Sequence, residues 1–119
     1  MTTLNTQTDL VSSATQDGDV VKASINGDID LHNSPEVRAA MLDVLLPSSP
    51  KKLILNLSGV PYMDSSAIAV LVEALQKMRR HGGKIYLTHL QPRVRGLLEI
   101  ARLDSIFVLA KDDQEAMSK

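Results

Sequence analysis

The chain has 119 residues, of which 44% are hydrophobic and 23% charged, and its net charge is −1. These proportions describe one ordinary folded domain with a single core, and they exclude a disordered segment or a two-domain chain. A near-neutral chain sets up no global field toward nucleic acid or an anionic membrane. The absence of cysteine also excludes disulfides, thiolate chemistry and sulfur-ligated metals.

Residues 1–7 read as a polar, Thr-rich tail ahead of a core over about residues 8–110 of a single domain spanning 1–119. The start carries no basic or apolar leader pattern, and no window approaches about 18 consecutive apolar residues. The expected address is therefore cytoplasmic, without membrane insertion. Leu10, Ser12 and Ala14 alternate weakly, Asp17-Gly18 marks a tight turn, and Val20 to Ile25 forms a second β-like run, so a hairpin is expected. After Asn26-Gly27, Ser34 before Pro35 predicts a helix start, a capping oxygen followed by proline at the first helical position. Val37, Met41, Val44 and Leu45 recur at helical spacing until Pro47 to Pro50 ends the run.

The near-continuous apolar run "KKLILNL" (Lys51 to Leu57), bounded by lysines and by Asn56 and Ser58, predicts a strand covered on both faces. A second helix follows and closes at His81-Gly82-Gly83. "KIYLTHL" alternates like a strand, Pro92 opens a third helix with Val94, Leu97, Leu98 and Ala101 on one face, and "SIFVLA" is a last short strand. Asp112 to Met117 adds a terminal helical turn. The order ββαβαβαβ(α) predicts an α/β fold: a small mixed sheet, an antiparallel hairpin beside parallel strands, with helices packed on it.

The second helix opens on Asp64-Ser65-Ser66. Asp64 is a favoured N-cap whose carboxylate accepts backbone N–H groups and complements the helix dipole. One capping residue is enough, which leaves the two serines unexplained. Advancing about 100° per residue from Ser65 puts Ile68, Leu71, Leu75 and Met78 on one side and Ser66, Glu73, Gln76, Lys77 and Arg80 on the other. Ala69 and Val70 then fall on or beside the polar face, where an apolar centre suits an interface.

The segments "GDIDLHNSPEVR", "LILNLSGVPYMDSSAIAVLVEAL" and "HGGKIYLTHLQPRVRGLLEIARLDSIF" together resemble the STAS domain of anti-sigma-factor antagonists. The resemblance runs from about Asp19 to Ala110 and is most specific at Gly27 to Asp30 and at Leu57 to Ser66. It implies a non-enzymatic partner switch without a cofactor. In that family the serine after the aspartate, which the resemblance places at Ser65, is phosphorylated by an anti-sigma factor that is itself a serine kinase. Phosphorylation blocks that complex, and a serine phosphatase restores it. Ser66 stands as a secondary acceptor. The implied partner surface comprises Asp30, Leu31, His32, Asn33, Asp64, Ser65, Ser66, Ala69, Val70 and Glu73, on a monomer or weak dimer. Ala67 and Ala69 occupy positions where the family usually has glycine; each favours the helix by up to ~1 kcal/mol. A stand-alone STAS subunit that docks to a membrane transporter is the alternative within the same fold.

Other chemistries are poorly supported. Ser65 lacks the flanking glycines of a nucleophile elbow, and His32, His81 and His89 lie on separate connections. Asp28, Asp30 and Asp64 come in the wrong chain order for a receiver-like cation pocket. "KMRRHGGK" ends a helix, where basic residues complement the dipole, and with 3% aromatic residues no base-stacking platform is visible.

Overall fold

Leu53, Ile54, Leu55 and Leu57 are all essentially inaccessible to solvent, and they form the interior strand around which the rest is arranged. The computed structural model describes residues 1–119. Its strands are β1 (Thr2–Thr3), β2 (Val11–Asp17), β3 (Val20–Asn26), β4 (Lys52–Gly59), β5 (Lys84–Thr88) and β6 (Val108–Ala110). They form one sheet in that spatial order. The pairs from β1 to β3 are antiparallel, and those from β3 to β6 are parallel. The mixed sheet with its antiparallel edge is thus as the sequence pattern predicts. The short strand β1, which pairs Thr2 with Gln16 and Thr3 with Thr15, lies in the segment expected to be a tail.

The helices are α1 (Ser34–Ala40), α2 (Ser65–Arg80), α3 (Pro92–Ile100) and α4 (Asp113–Ser118). Leu53, Leu55, Leu57, Ile85 and Leu87 project to one side of the sheet and share the main core with Val37, Leu71, Leu75, Val94 and Leu98. Ile54 and Tyr86 project to the other side, where α4 brings Ala116 against them and Ala110. Lys52 anchors that helix by donating to the carbonyls of Ala116, Met117 and Lys119 at 2.9, 3.1 and 2.9 Å. Coverage on both faces also makes β5 a continuous buried run from Ile85 to Thr88 and not the alternating strand expected.

Two helix details depart from expectation. Ser34 is buried and is the first residue of α1, while Asn33 holds the capping position and turns its side chain away from the helix. After Ala40 the chain continues as a π-helical segment, Met41–Leu45, which shifts the register. Ala40, Met41, Leu45 and Leu46 are buried in consequence, and Val44 is only half-buried.

Candidate functional site

Two loops leave the same end of the parallel strands, one after β3 and one after β4, and the backbone stitches them together. Gly59 permits the approach: a Cβ there would collide with Oδ1 of Asn26. Gly27, at φ +87°, turns the first loop, and its N–H donates to the Gly59 carbonyl at 2.8 Å. Further along, Ile29 pairs with Met63 in a parallel bridge. The Ile29 N–H donates to Tyr62 O, and the Asp64 N–H donates to Ile29 O, both at 3.0 Å. The loop that carries Asp30 is therefore held against the start of α2.

Asp64 caps α2 as the sequence predicts and also reaches across to the first loop. Its Oδ1 accepts from the N–H of Ser66 at 2.9 Å, from the Ser66 hydroxyl, and from the N–H of Ala67 at 3.4 Å. Its Oδ2 accepts from the N–H of Leu31 at 3.0 Å. The Ser66 hydroxyl, followed by the backbone donors of Ser66, Ala67 and Leu31, holds this carboxyl below its ordinary value of 3.8. A carboxyl lowered by folding stabilises the fold fully above the ordinary value and loses that contribution as pH falls through the folded one. The melting-temperature gap between the parent and Asp64→Ala should therefore narrow as pH drops from about 5 toward about 2. A gap that is constant over that range would show that the carboxylate charge plays no part in the cap.

The Asp30 loop is shaped from within. Asp30 Oδ1 accepts from the N–H groups of His32 and Asn33 at 2.9 and 3.2 Å, and Asn33 Oδ1 accepts from the Asp30 N–H at 2.9 Å. Asn33 Nδ2 also donates to the Asp28 carbonyl at 2.8 Å. Asp30 and Asn33 thus act as loop architects, and Leu31, 77% exposed, and His32 are left facing outward.

The structure gathers Asp30 to Asn33, Asp64, Ser65 and Ser66 at one mouth. Ala69 is exposed one turn along, and Glu73 is half-buried. Val70 requires correction: it is only 7% exposed and packs in the main core. The face of α2 on the sheet runs Ala67, Val70, Leu71, Ala74, Leu75, Met78, which is rotated from the stripe expected, with Ile68 and Val72 at its margin. Ala67 is core too, so of the two alanines at usual glycine positions only Ala69 meets solvent. Glu73 is engaged by Arg38 of α1, whose Nε and a terminal guanidinium nitrogen donate to its two oxygens at 2.7 and 2.8 Å. That pair holds Glu73 below and Arg38 above their ordinary values.

His32 shares the mouth with Ser65, whereas the other two histidines are engaged elsewhere. His81 Nε2 meets the Pro50 carbonyl at 2.7 Å, and His89 stands 3.9 Å from Asp113. Asp28, Asp30 and Asp64 do not converge into a metal-binding group.

One wall of the site is missing from the sequence-based expectation. Ser65 and Asp64 border a shallow groove of about 420 Å³ whose far side is α3, with Arg93, Gly96, Leu97 and Ile100, and whose floor includes Tyr62. Ile100 is 83% exposed, and the Arg93 guanidinium lies 5.0 Å from the centre of the Tyr62 ring. The one sequence signal for this wall is Ile100, an apolar residue off the buried stripe of Val94 and Leu98.

Residues 12–116 match the STAS domain family. The chain belongs to that family. It is 31% identical over 94 residues to an anti-sigma-B factor antagonist of Bacillus subtilis, a match that covers 78% of this chain and 84% of that protein. A putative anti-sigma factor antagonist from Thermotoga maritima has a crystal structure that superposes with a TM-score of 0.82 at 27% identity, over 88% of this STAS chain and 90% of that one. These likenesses place the chain with the anti-sigma-factor antagonists. The same region is also 32% identical to part of a putative sulfate transporter of Bacillus subtilis, where the match spans 79% of this chain but only 18% of the transporter. No helix of this STAS protein is long and apolar enough to cross a membrane.

Proposed function

We propose that this STAS protein is a cytoplasmic phosphoswitch. With Ser65 unmodified it binds an anti-sigma factor that is also a serine kinase; phosphorylation of Ser65 releases it, and a serine phosphatase resets it. The observation that carries this reading is the contrast between the two serines. Ser66 is half-buried, with its hydroxyl committed to Asp64, whereas Ser65 is exposed and its hydroxyl has no protein partner. A kinase needs an accessible hydroxyl oxygen free to attack, and of these two serines only Ser65 offers one. The phosphate adds roughly −1.5 to −2 charge at a helix N-terminus, which the dipole favours, so the surface gains negative charge locally while the fold persists. The partner face comprises Ser65, Leu31, His32 and Ala69, on the frame made by Asp30, Asn33 and Asp64.

Incubation with the cognate kinase and ATP, followed by mass-spectrometric site mapping, tests the assignment. Ser65→Ala should abolish labelling, and Ser66→Ala should retain most of it. Labelling that survives in Ser65→Ala and vanishes in Ser66→Ala would reverse the roles. The match to a segment of a sulfate transporter favours one second reading, a STAS subunit docked on a transporter. That reading expects no kinase labelling at all.

A further inference from the structure

Arg93 is an uncommitted cation beside the phosphoacceptor. The ion pairs of the structure join Arg38 to Glu73, His89 to Asp113 and Lys119 to Glu115, and none includes Arg93. Its guanidinium rests over the Tyr62 ring and lines the groove that Ser65 borders. Asp64, the carboxylate in that groove, has both oxygens occupied by N–H and hydroxyl donors from Leu31, Ser66 and Ala67. No ion pair joins Arg93 to Asp64 or to any other carboxylate, so Arg93 is left without an anion.

We propose that Arg93 is the intramolecular receiver of the phosphate on Ser65, so that the modified side chain is drawn across the groove to α3. This inference rests on Ser65 being the modified serine. A phosphomonoester presents oxygens that match the planar fork of a guanidinium, and such pairs form two parallel charge-assisted hydrogen bonds. Tyr62 holds the guanidinium over the groove by a cation–π contact, so little has to be ordered when the phosphate arrives. The other charged or titratable groups at this mouth are Asp64 and Tyr62 in the groove and Asp30 and His32 on the facing loop; the carboxylates oppose the phosphate, and Arg93 is the cation on the remaining wall. Phosphorylation then acts on binding in two ways: it changes the local charge, and it places the protein's own phosphate in the part of the groove between Ser65 and Arg93.

The test uses the full chain with phosphoserine placed at position 65 by co-translational incorporation, so that no kinase is needed. Phosphorus NMR follows the second ionisation of the phosphate, near ~6 for an unperturbed phosphoserine. In the parent it should titrate lower than in Arg93→Gln by about half a unit or more, since a nearby cation favours the dianion. Arg93→Lys should fall between, because it keeps the charge and loses the fork, and the gap should shrink at about 1 M salt. Asp64, Asp30, His32 and the helix terminus are common to all variants, so the differences isolate position 93. Superposed titration curves for the parent and Arg93→Gln, with both folded by circular dichroism, would overturn the proposal. A gap in a protein that no kinase labels at Ser65 would leave Arg93 as a phosphate receiver and remove the switch; labelling with superposed curves would do the reverse.

Discussion

Val70→Asp should cost this protein most of its stability. Val70 is 7% exposed and borders a tight apolar space with Ile25, Ile29, Val37, Leu57, Met63, Ala67 and Leu71. No polar atom of those side chains is available to a carboxylate. Burying an uncompensated charge costs several kcal/mol, and removing the valine forfeits a further ~1.5–3 kcal/mol of apolar burial. A domain of this kind is stable by only about 5–15 kcal/mol. Urea titrations should therefore show Val70→Asp either unfolded in buffer or with a sharply lowered midpoint. Ala69→Asp, one residue earlier on the exposed side, should keep the parent midpoint and weaken only partner binding. A Val70→Asp protein with the parent midpoint would contradict the burial of that side chain.

The contrast between these neighbours shows where sequence pattern stops being decisive. The helix α2 carries apolar residues on more than half its circumference, so a wheel set by Ile68, Leu71, Leu75 and Met78 is almost as consistent as the observed one. The difference lies in Val70, expected beside the polar face and buried, and in Ile68, expected within the stripe and found at its margin. At Met41–Leu45 a π-helical segment breaks the constant angular step on which any wheel depends. Similarly, Ala101 was expected on the buried face of α3, whereas it is exposed just past the end of that helix. What was legible rests on local chemistry: the uninterrupted apolar run of β4, the proline and glycine punctuation, and the cap at Asp64. The core of the site was legible for the same reason, because Asp64, Ser65 and Ser66 are consecutive. Its α3 wall was not, because Tyr62 and Arg93 meet only after a full helix and a parallel strand have returned the chain to the same end of the sheet.

Ser65→Glu should separate binding from folding. The glutamate adds a permanent negative charge in the first turn of α2, where the dipole favours it by ~0.3–1 kcal/mol when exposed. Repulsion from the ionised Asp64 opposes it by a similar amount in a solvated setting. Ser65 is exposed and its hydroxyl holds no protein partner, so nothing in the core depends on it. The melting temperature should consequently stay close to that of the parent. The complex is a different matter. A partner face that closes over Ser65 must desolvate the new carboxylate, and an unpaired buried charge costs several kcal/mol. With a tenfold change in affinity per 1.4 kcal/mol, calorimetry against the kinase should show weakening by roughly a hundredfold or more. Ser65→Ala, which removes the acceptor without adding charge, should bind nearly as the parent does. Arg93 supplies an internal check: if it pairs with the glutamate across the groove, Ser65→Glu combined with Arg93→Gln should differ from Ser65→Glu in salt sensitivity. Undiminished kinase binding by a folded Ser65→Glu protein would remove Ser65 from the contact surface and end the phosphoswitch reading.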